Sequence, residues 1–144
     1  MKFKKNLKAL FFSSLIFTLI IGIFLFINMS GCSSKEEDIW IGPVKKVELG
    51  EIDQALVEKG KQVFDMKCIA CHKFDSKLVG PPLQGITKRR KPEWIMNIIL
   101  NPEQMTKEDP TAKQLFAEYL TQMTFQDVTQ DDARAILEYL RTME

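Results

Sequence analysis

The sequence predicts an all-α fold of about four short helices, preceded by a membrane-targeting segment. Apolar residues beyond Glu51 recur at helical spacing, and no stretch alternates in the manner of a strand. The start of the chain instead holds a long uncharged apolar run. A chain of 144 residues suffices for one domain with appendages. We therefore divide it into a targeting segment at 1–31, a polar linker at 32–50 and a folded domain at 51–144.

The targeting segment combines a basic start with apolar residues. Four lysines in the first eight residues precede an uncharged stretch from Ala9 to Ile27 that is rich in Phe, Ile and Leu. This order is typical of an export signal. The stretch also reaches the ~18 residues that indicate a spanning helix, so an uncleaved anchor is the alternative. Because the lysines stay on the cytoplasmic side, both alternatives predict that the domain lies outside the cytoplasm.

Met29-Ser30-Gly31-Cys32 resembles the lipobox of bacterial lipoproteins, in which small residues precede a cysteine that is lipidated after cleavage. The family usually has Leu where this chain has Met29. The resemblance implies lipidation of Cys32 and attachment to the cell membrane or outer membrane. The folded domain would then lie in the periplasm or at the cell surface.

Residues that favour helix starts divide the domain into four predicted helices. Asp53 suits the N-cap of the first. Pro92 and Pro110 suit the first positions of the second and third. Thr129 with Asp132 resembles a capping box before the last. The apolar faces that we expect to be buried are, in chain order, Leu56, Gly60, Val63 and Phe64; Trp94, Ile95, Ile98 and Ile99; Ala112, Leu115, Phe116, Tyr119 and Leu120; and Ala133, Ile136, Leu137 and Leu140.

A covalent haem site is predicted by the motif Cys68-Ile69-Ala70-Cys71-His72. Two cysteines three positions apart can each form a thioether with a haem vinyl group, and the adjoining His72 can bind the iron. A structural zinc site would need four Cys or His ligands, and the domain has no others. A thioredoxin-type pair would need a strand–helix setting, whereas this motif ends a predicted helix. We therefore predict one haem c, attached at Cys68 and Cys71, which would also complete a core too small for four short helices.

The second axial ligand of the iron is predicted to be a methionine. His72 is the sole histidine of the chain, so ligation by two histidines is excluded, and a methionine thioether is a common partner. Three methionines are poorly placed, on the helix of the motif, in mid-helix and at the chain end: Met66, Met96 and Met143. Met105 and Met123 lie in loop-like segments and are the two candidates.

Residues from about 56 to 141 resemble a class I cytochrome c. Gly60 and Phe64 match the positions where the first helix of that family packs against the last. Tyr139 with Leu140 matches the other half of the crossing. Gly80-Pro81-Pro82-Leu83 is similar to the loop that supports the iron-binding histidine. The resemblance implies a class I cytochrome c fold around one covalently bound haem.

The same resemblance implies roles for individual residues. The carbonyl of Pro81 would accept the Nδ1 proton of His72 and fix its ring. Arg89 would meet a haem propionate. The distal methionine of the family comes from the loop before the last helix, which here is Met123, with Met105 as the alternative. The family usually has a proline where this chain has Thr124.

Trp94 and the basic run that precedes it each have two interpretations. The indole N–H of Trp94 would donate to a haem propionate, since a buried Trp normally finds a partner; plain packing is the alternative. The run from Lys88 to Lys91 is of a kind that also occurs in nucleic-acid sites. Because the domain is predicted to lie outside the cytoplasm, we expect no nucleic-acid partner.

The charges of the chain are unevenly distributed. Residues 59–91 carry nine basic and two acidic side chains, a balance of +7, whereas residues 92–144 carry four and ten, a balance of −6. We expect the folded domain to be a dipole that steers transient encounters with an acidic redox partner. Scattered solubilising charge is the alternative. The lysines expected near the haem edge are Lys67, Lys73, Lys77, Lys88 and Lys91.

These features together predict an electron carrier and not an enzyme. An iron with both axial positions filled does not readily bind oxygen, which leaves a one-electron change. The alternatives are a haem-based ligand sensor and a structural haem subunit of a larger redox complex. We expect transient partners such as a quinol-oxidising complex or a terminal reductase or oxidase. Residues 85–94 resemble small anchored cytochromes of nitrous oxide respiration, which implies a nitrous oxide reductase as one such partner.

Overall fold

The computed structural model describes residues 41–144, which contain six helices and no strand. The helices are α1 Gln54–Lys67, α2 Ile86–Arg89, α3 Pro92–Leu100, α4 Pro102–Glu108, α5 Pro110–Tyr119 and α6 Gln130–Arg141. The all-α prediction is confirmed, and α2 and α4 are additions to the four predicted helices. The predicted targeting segment, the lipidation site at Cys32 and the first part of the linker lie outside the described residues. Among residues 41–144, no helix is long and apolar enough to cross a membrane.

The four predicted helices begin where the sequence predicts. The Asp53 side chain accepts hydrogen bonds from the N–H groups of Ala55 and Leu56 at 2.9 and 3.2 Å, and thereby caps α1. Proline occupies the first turn of α3, α4 and α5, where its missing N–H has no cost. Thr129 and Asp132 form the predicted capping box of α6.

The crossing of α1 and α6 forms the centre of the core. Gly60 makes it possible, because a Cβ at this position would overlap the backbone carbonyl of Ala135. Phe64 stacks on Phe74, with ring centroids 5.2 Å apart, and meets the edge of Tyr139 at 5.6 Å. The predicted inner face of α6 is fully buried. Burial of these aromatic and aliphatic side chains is the main stabilising term of such a core.

The segment that contains Met105 is a helix, which corrects the prediction of a loop. Met105 lies in α4, is 2% exposed and packs with Ile41 and Ala112 in a second apolar cluster. The sequence signal is weak because α4 has seven residues, fewer than a helical pattern needs to be recognised. Met105 therefore fills the core, the usual role of a buried methionine.

Residues 41–50 pack against the helices, whereas the sequence predicted a polar spacer up to residue 50. Asn97 on α3 accepts a bond from the N–H of Val44 at 2.9 Å and donates one to its carbonyl at 2.8 Å, both buried. The N–H of Val47 donates to Glu93 at 2.7 Å, and Arg141 donates to the carbonyl of Gly50 at 2.8 Å. The described part of the predicted linker therefore makes hydrogen bonds to α3 and α6.

Candidate haem site

The cysteine–histidine motif forms a compact turn at the end of α1. Cys68 is the C-cap, and its N–H donates to the carbonyl of Phe64 at 2.8 Å. The N–H groups of Cys71 and His72 then both donate to the carbonyl of Cys68, at 3.1 and 3.0 Å. This turn places both cysteines and the histidine on the wall of one cavity of about 260 Å³.

The two cysteines form no disulfide with each other, and Cys68 does not resemble the attacking thiol of a redox pair. Burial, followed by the proximity of Cys71, raises the pKa of the Cys68 thiol to about 11. A thiol of this kind stays protonated at neutral pH, whereas disulfide-exchange enzymes lower the pKa of the attacking cysteine. Within residues 41–144, no cluster of three or more His, Cys, Asp or Glu side chains is placed to hold a metal ion. Neither competing interpretation of the motif is therefore supported.

His72 is held as a neutral ring with one nitrogen available. Its Nδ1 lies 3.1 Å from the carbonyl oxygen of Pro81. Because a carbonyl can only accept, Nδ1 carries the proton and Nε2 keeps its lone pair. Burial lowers the pKa of His72, and the bond to Pro81 opposes this shift in part. The contact expected between His72 and Pro81 is therefore present, and the ring is in the form that binds a metal.

Gly80 provides the space that the imidazole occupies. A Cβ on Gly80 would overlap the His72 ring, and would lie 2.9 Å from Nδ1. The Gly80 N–H also donates to the carbonyl of Cys71 at 2.9 Å, which binds the proline loop to the motif. Any side chain at this position would displace the ring, so the glycine is required by close approach and not by its backbone angles.

Most of the apolar face of α5 lines the cavity and does not pack into the protein core. Ala112 is the one fully buried residue of α5, whereas Leu115, Phe116 and Tyr119 line the cavity. Leu120, predicted for the same stripe, is 80% exposed because the left-handed C-cap (φ 53°) ends the helix there. Ile98 and Ile99 of α3 also line the cavity. A flat apolar cofactor in this space would cover the exposed side chains, so the site fits a haem.

Met123 is the one methionine on the cavity wall among the described residues. Met96 and Met105 are each 2% exposed in the core, and Met66 is 73% exposed at the surface. Met143 packs against the main apolar cluster. The structure thus brings Met123 and His72 into one cavity, and it places Met105 outside the lining.

Two arginines on the cavity wall can meet an anionic group. Arg89 donates to the backbone carbonyls of Gln84 and Pro82 at 2.5 and 3.3 Å, which fixes its guanidinium beside the cavity. The buried Nε of Arg90 has no hydrogen-bond partner among the described residues. A carboxylate such as a haem propionate would satisfy this donor, because an unpaired buried N–H is costly. Sequence reasoning left Arg90 without a definite role.

Trp94 has a different hydrogen-bond partner from the one that the sequence predicts. Its indole N–H donates to the carboxylate of Asp109 at 3.0 Å, and the same oxygen caps α5 by accepting from Ala112 at 2.8 Å. The indole N–H that was expected to donate to a propionate therefore donates to Asp109 instead. The Trp94 ring lines the cavity and lies 5.5 Å from the Arg90 guanidinium carbon. Its role is packing and orientation of α5.

The lysines predicted to surround the site are partly engaged in internal contacts. Lys67 donates to two backbone carbonyls of the Met123 loop. Lys77 lies over the ring of Tyr119, 4.5 Å from its centroid, which places it beside a residue of the cavity wall. Lys88 pairs with Glu144 at 3.0 Å. This pair joins the basic and acidic parts of the sequence and so reduces the predicted dipole.

Comparisons with known proteins find similarity to cytochromes c. The family model described as Cytochrome c matches residues 57–144. Cytochrome c from Rhodothermus marinus is 52% identical over 72% of this chain and 90% of its own, with a TM-score of 0.70. An engineered form of it, Rma TDE bound to a carbene intermediate, is 50% identical over the same shares, with a TM-score of 0.67.

A more distant match is the cytochrome c domain of the pp3183 protein from Pseudomonas putida. It is 28% identical over 58% of this chain and 85% of its own, with a TM-score of 0.51. No curated relative matches the chain.

Proposed function

Because the chain belongs to the cytochrome c family, we propose that it is a membrane-tethered carrier of single electrons between respiratory partners outside the cytoplasm. Family membership implies covalently attached haem c and haem-based electron transfer. The finer proposal is that thioethers at Cys68 and Cys71 hold the haem, with His72 and Met123 as its axial ligands. The observation that carries it is that His72 and Met123 both line one cavity.

The residues of the chain have distinct tasks in this proposal. The haem supplies a one-electron change at its iron when bound. Pro81 holds the proton on His72 Nδ1, so that Nε2 is presented to the metal. The apolar wall formed by α3, α5 and α6 would exclude water from the bound cofactor, and burial of this kind is one determinant of the reduction potential. Arg89 and Arg90 would hold the propionates.

We propose a carrier and not an enzyme, because neither axial position would be open to a substrate. The alternative, a ligand-sensing haem protein, requires that Met123 be absent from the iron or easily displaced. A structural haem subunit would instead require a stable partner that survives high salt. The strength of the bond between iron and Met123 therefore distinguishes the carrier from the sensor.

The test compares the haem-loaded wild type with Met123→Ala. A carrier shows the weak near-infrared absorption band of ferric iron bound to methionine sulfur, and its reduced form resists carbon monoxide. Met123→Ala should lose the band and bind carbon monoxide rapidly, whereas Met66→Ala, a substitution at the exposed surface, should retain both wild-type properties. A wild type that lacks the band and binds carbon monoxide at once would support the sensor.

The membrane tether is proposed from the sequence resemblance around Cys32, with an uncleaved anchor as its alternative. Mass spectrometry of the mature protein reports cleavage before Cys32 and attached lipid in one measurement. A mature chain that still begins at Met1 would contradict the lipoprotein proposal and support the anchor.

A nitrous oxide reductase is the proposed electron acceptor on the resemblance of residues 85–94. The test mixes the reduced protein with that enzyme and nitrous oxide, and follows oxidation of the haem by absorbance. Oxidation that requires both enzyme and nitrous oxide supports the proposal. No oxidation would contradict it, and another terminal oxidase or reductase would then be the acceptor to be tested.

A further inference from the structure

The loop between α5 and α6 carries Met123 but has little backbone support. Residues 121–128 make no backbone–backbone hydrogen bond to any other described residue. Two non-glycine residues with left-handed backbone angles, Leu120 (φ 53°) and Asp127 (φ 52°), lie on either side of Met123. A loop of this kind depends on side-chain contacts for its position, since such backbone angles are unfavourable for most residues.

One of these contacts comes from the residue directly before the first cysteine. The Lys67 ammonium donates to the carbonyl oxygens of Gln126 and Asp127, at 2.8 and 2.9 Å. Both bonds are charge-assisted and therefore stronger than bonds between neutral groups. Lys67 is the last residue of α1 and also lines the cavity. The end of the helix that leads into the haem-attachment motif is thus tied to the loop that carries the distal methionine.

The other contact lies on the opposite side of Met123 in the sequence. The Gln122 amide donates to the Thr106 hydroxyl at 3.0 Å and to the Met123 carbonyl at 2.8 Å. This links the loop to α4. Val128 adds a buried apolar side chain at the end of the loop, where it packs with α6. Lys67 is the anchor that joins the loop to α1.

We propose that Lys67 is a positioning residue for the distal ligand. By holding the backbone of Gln126 and Asp127 against the end of α1, it keeps Met123 at the iron and limits the binding of external ligands. This inference rests on the assignment of Met123 as the axial ligand. It assigns Lys67 a function in addition to any role as a surface charge in docking.

The experiment uses the full haem-loaded protein with Lys67→Met, which keeps an unbranched apolar chain and removes the donor. We expect the affinity of the ferric iron for added imidazole to rise about tenfold, because the loss of two charge-assisted bonds makes Met123 easier to displace. The near-infrared band of methionine ligation should weaken in parallel. Lys67→Arg keeps a long charged donor and should restore most of the wild-type affinity.

Lys61→Met is the matched control. It removes the same charge from the same helix, but Lys61 pairs with the exposed Asp65 and has no contact with the loop. Guanidinium unfolding of each variant separates a local effect on the loop from loss of global stability. If Lys67→Met retains too little haem, the experiment uses Lys67→Gln in its place. The Gln side chain is too short for its amide to reach both carbonyls.

The outcomes distinguish this inference from the ligand assignment. If the wild type has the methionine band and Lys67→Met binds imidazole within twofold of Lys61→Met, Lys67 does not position the ligand. If the wild type itself lacks the band, the assignment of Met123 fails, and the role of Lys67 fails with it. A selective rise in imidazole affinity at Lys67, with unfolding unchanged, supports the inference.

Discussion

At the scale of single residues, close approach to the His72 ring is the strictest requirement of the site. The imidazole has the Pro81 carbonyl on its Nδ1 and the bare Cα of Gly80 against its ring. The motif and the proline loop made the cysteines, His72 and Pro81 predictable from the sequence. The requirement for glycine at position 80 follows from the distances in the folded chain.

Gly80→Ala should destabilise the haem-loaded protein by about 2 kcal/mol, because the new Cβ overlaps an immobilised ring. Guanidinium unfolding followed by haem absorbance measures this. Gly50→Ala is the matched control, since a Cβ there meets no atom within 4 Å, and we expect a change within about 0.5 kcal/mol. Equal effects of the two substitutions would show that the ring is free to move.

Other residue contacts of the site were not predictable from sequence. Trp94 donates to Asp109, which lies 15 positions later and is brought near by the turn between α4 and α5. The Lys67 contact with the Met123 loop spans about 60 positions. A sequence reveals residue types and local periodicity, whereas partners at such separations depend on packing of the whole chain.

At the scale of elements, the predictable features were the local ones. N-caps, prolines at first positions and the capping box involve residues within a few positions of each other, and all are present. Two features that were not predicted lie in segments without such signals. The seven residues of α4 were too few to show a helical pattern, and Val44, in the predicted linker, bonds through its backbone to Asn97, 53 positions later.

Asn97→Ala tests whether residues 41–50 are held by that side chain. It would leave the buried N–H and carbonyl of Val44 without their partner, at a cost of about 2 kcal/mol. Amide hydrogen exchange at Val44 should accelerate strongly. Gln104→Ala, on the exposed face of α4, serves as the control and should leave this exchange unchanged. Unchanged exchange in Asn97→Ala would mean that the segment is held by other contacts.

The α6 capping box should give the protein an acid-dependent stability. Hydrogen bonds from Lys59 and then Thr129 lower the pKa of Asp132 from 3.8 to about 2. Because the folded pKa is below the unfolded one, ionised Asp132 stabilises the fold above about pH 4, and this stabilisation is lost as the pH falls through about 2. Unfolding free energies of wild type and Asp132→Asn should therefore converge on acidification. If the difference between the two unfolding free energies stayed constant with pH, the contribution of ionised Asp132 would be contradicted.

At the scale of the whole molecule, the charge balance of the sequence is modified by folding. Lys59 pairs with Asp132 at 2.8 Å and Lys88 with Glu144 at 3.0 Å, so basic and acidic parts of the sequence meet. A count of charged residues along the sequence does not reveal such ion pairs. Lys67 and Lys77 nevertheless lie at or beside the cavity wall, where a positive field would act on a docking partner.

Electron transfer to an acidic partner should become slower as salt increases. The second-order rate should fall several-fold between about 0.01 and about 0.15 M ionic strength, as the Debye length shortens from ~30 to ~8 Å. Stopped-flow oxidation of the reduced protein measures this. Lys77→Gln should lower the low-salt rate more than Lys46→Gln, a lysine paired with the exposed Glu48. A rate independent of salt would exclude electrostatic steering.

The central claim is that Cys68 and Cys71 carry a haem by covalent bonds. The most direct measurement is the mass of the chain after extraction with acid acetone, on protein matured with a haem-attachment system. We predict a mass increase equal to one haem that survives the extraction, and that is absent in the variant with both cysteines replaced by alanine. A colourless chain of unmodified mass, or a haem that passes into the acetone, would contradict the account.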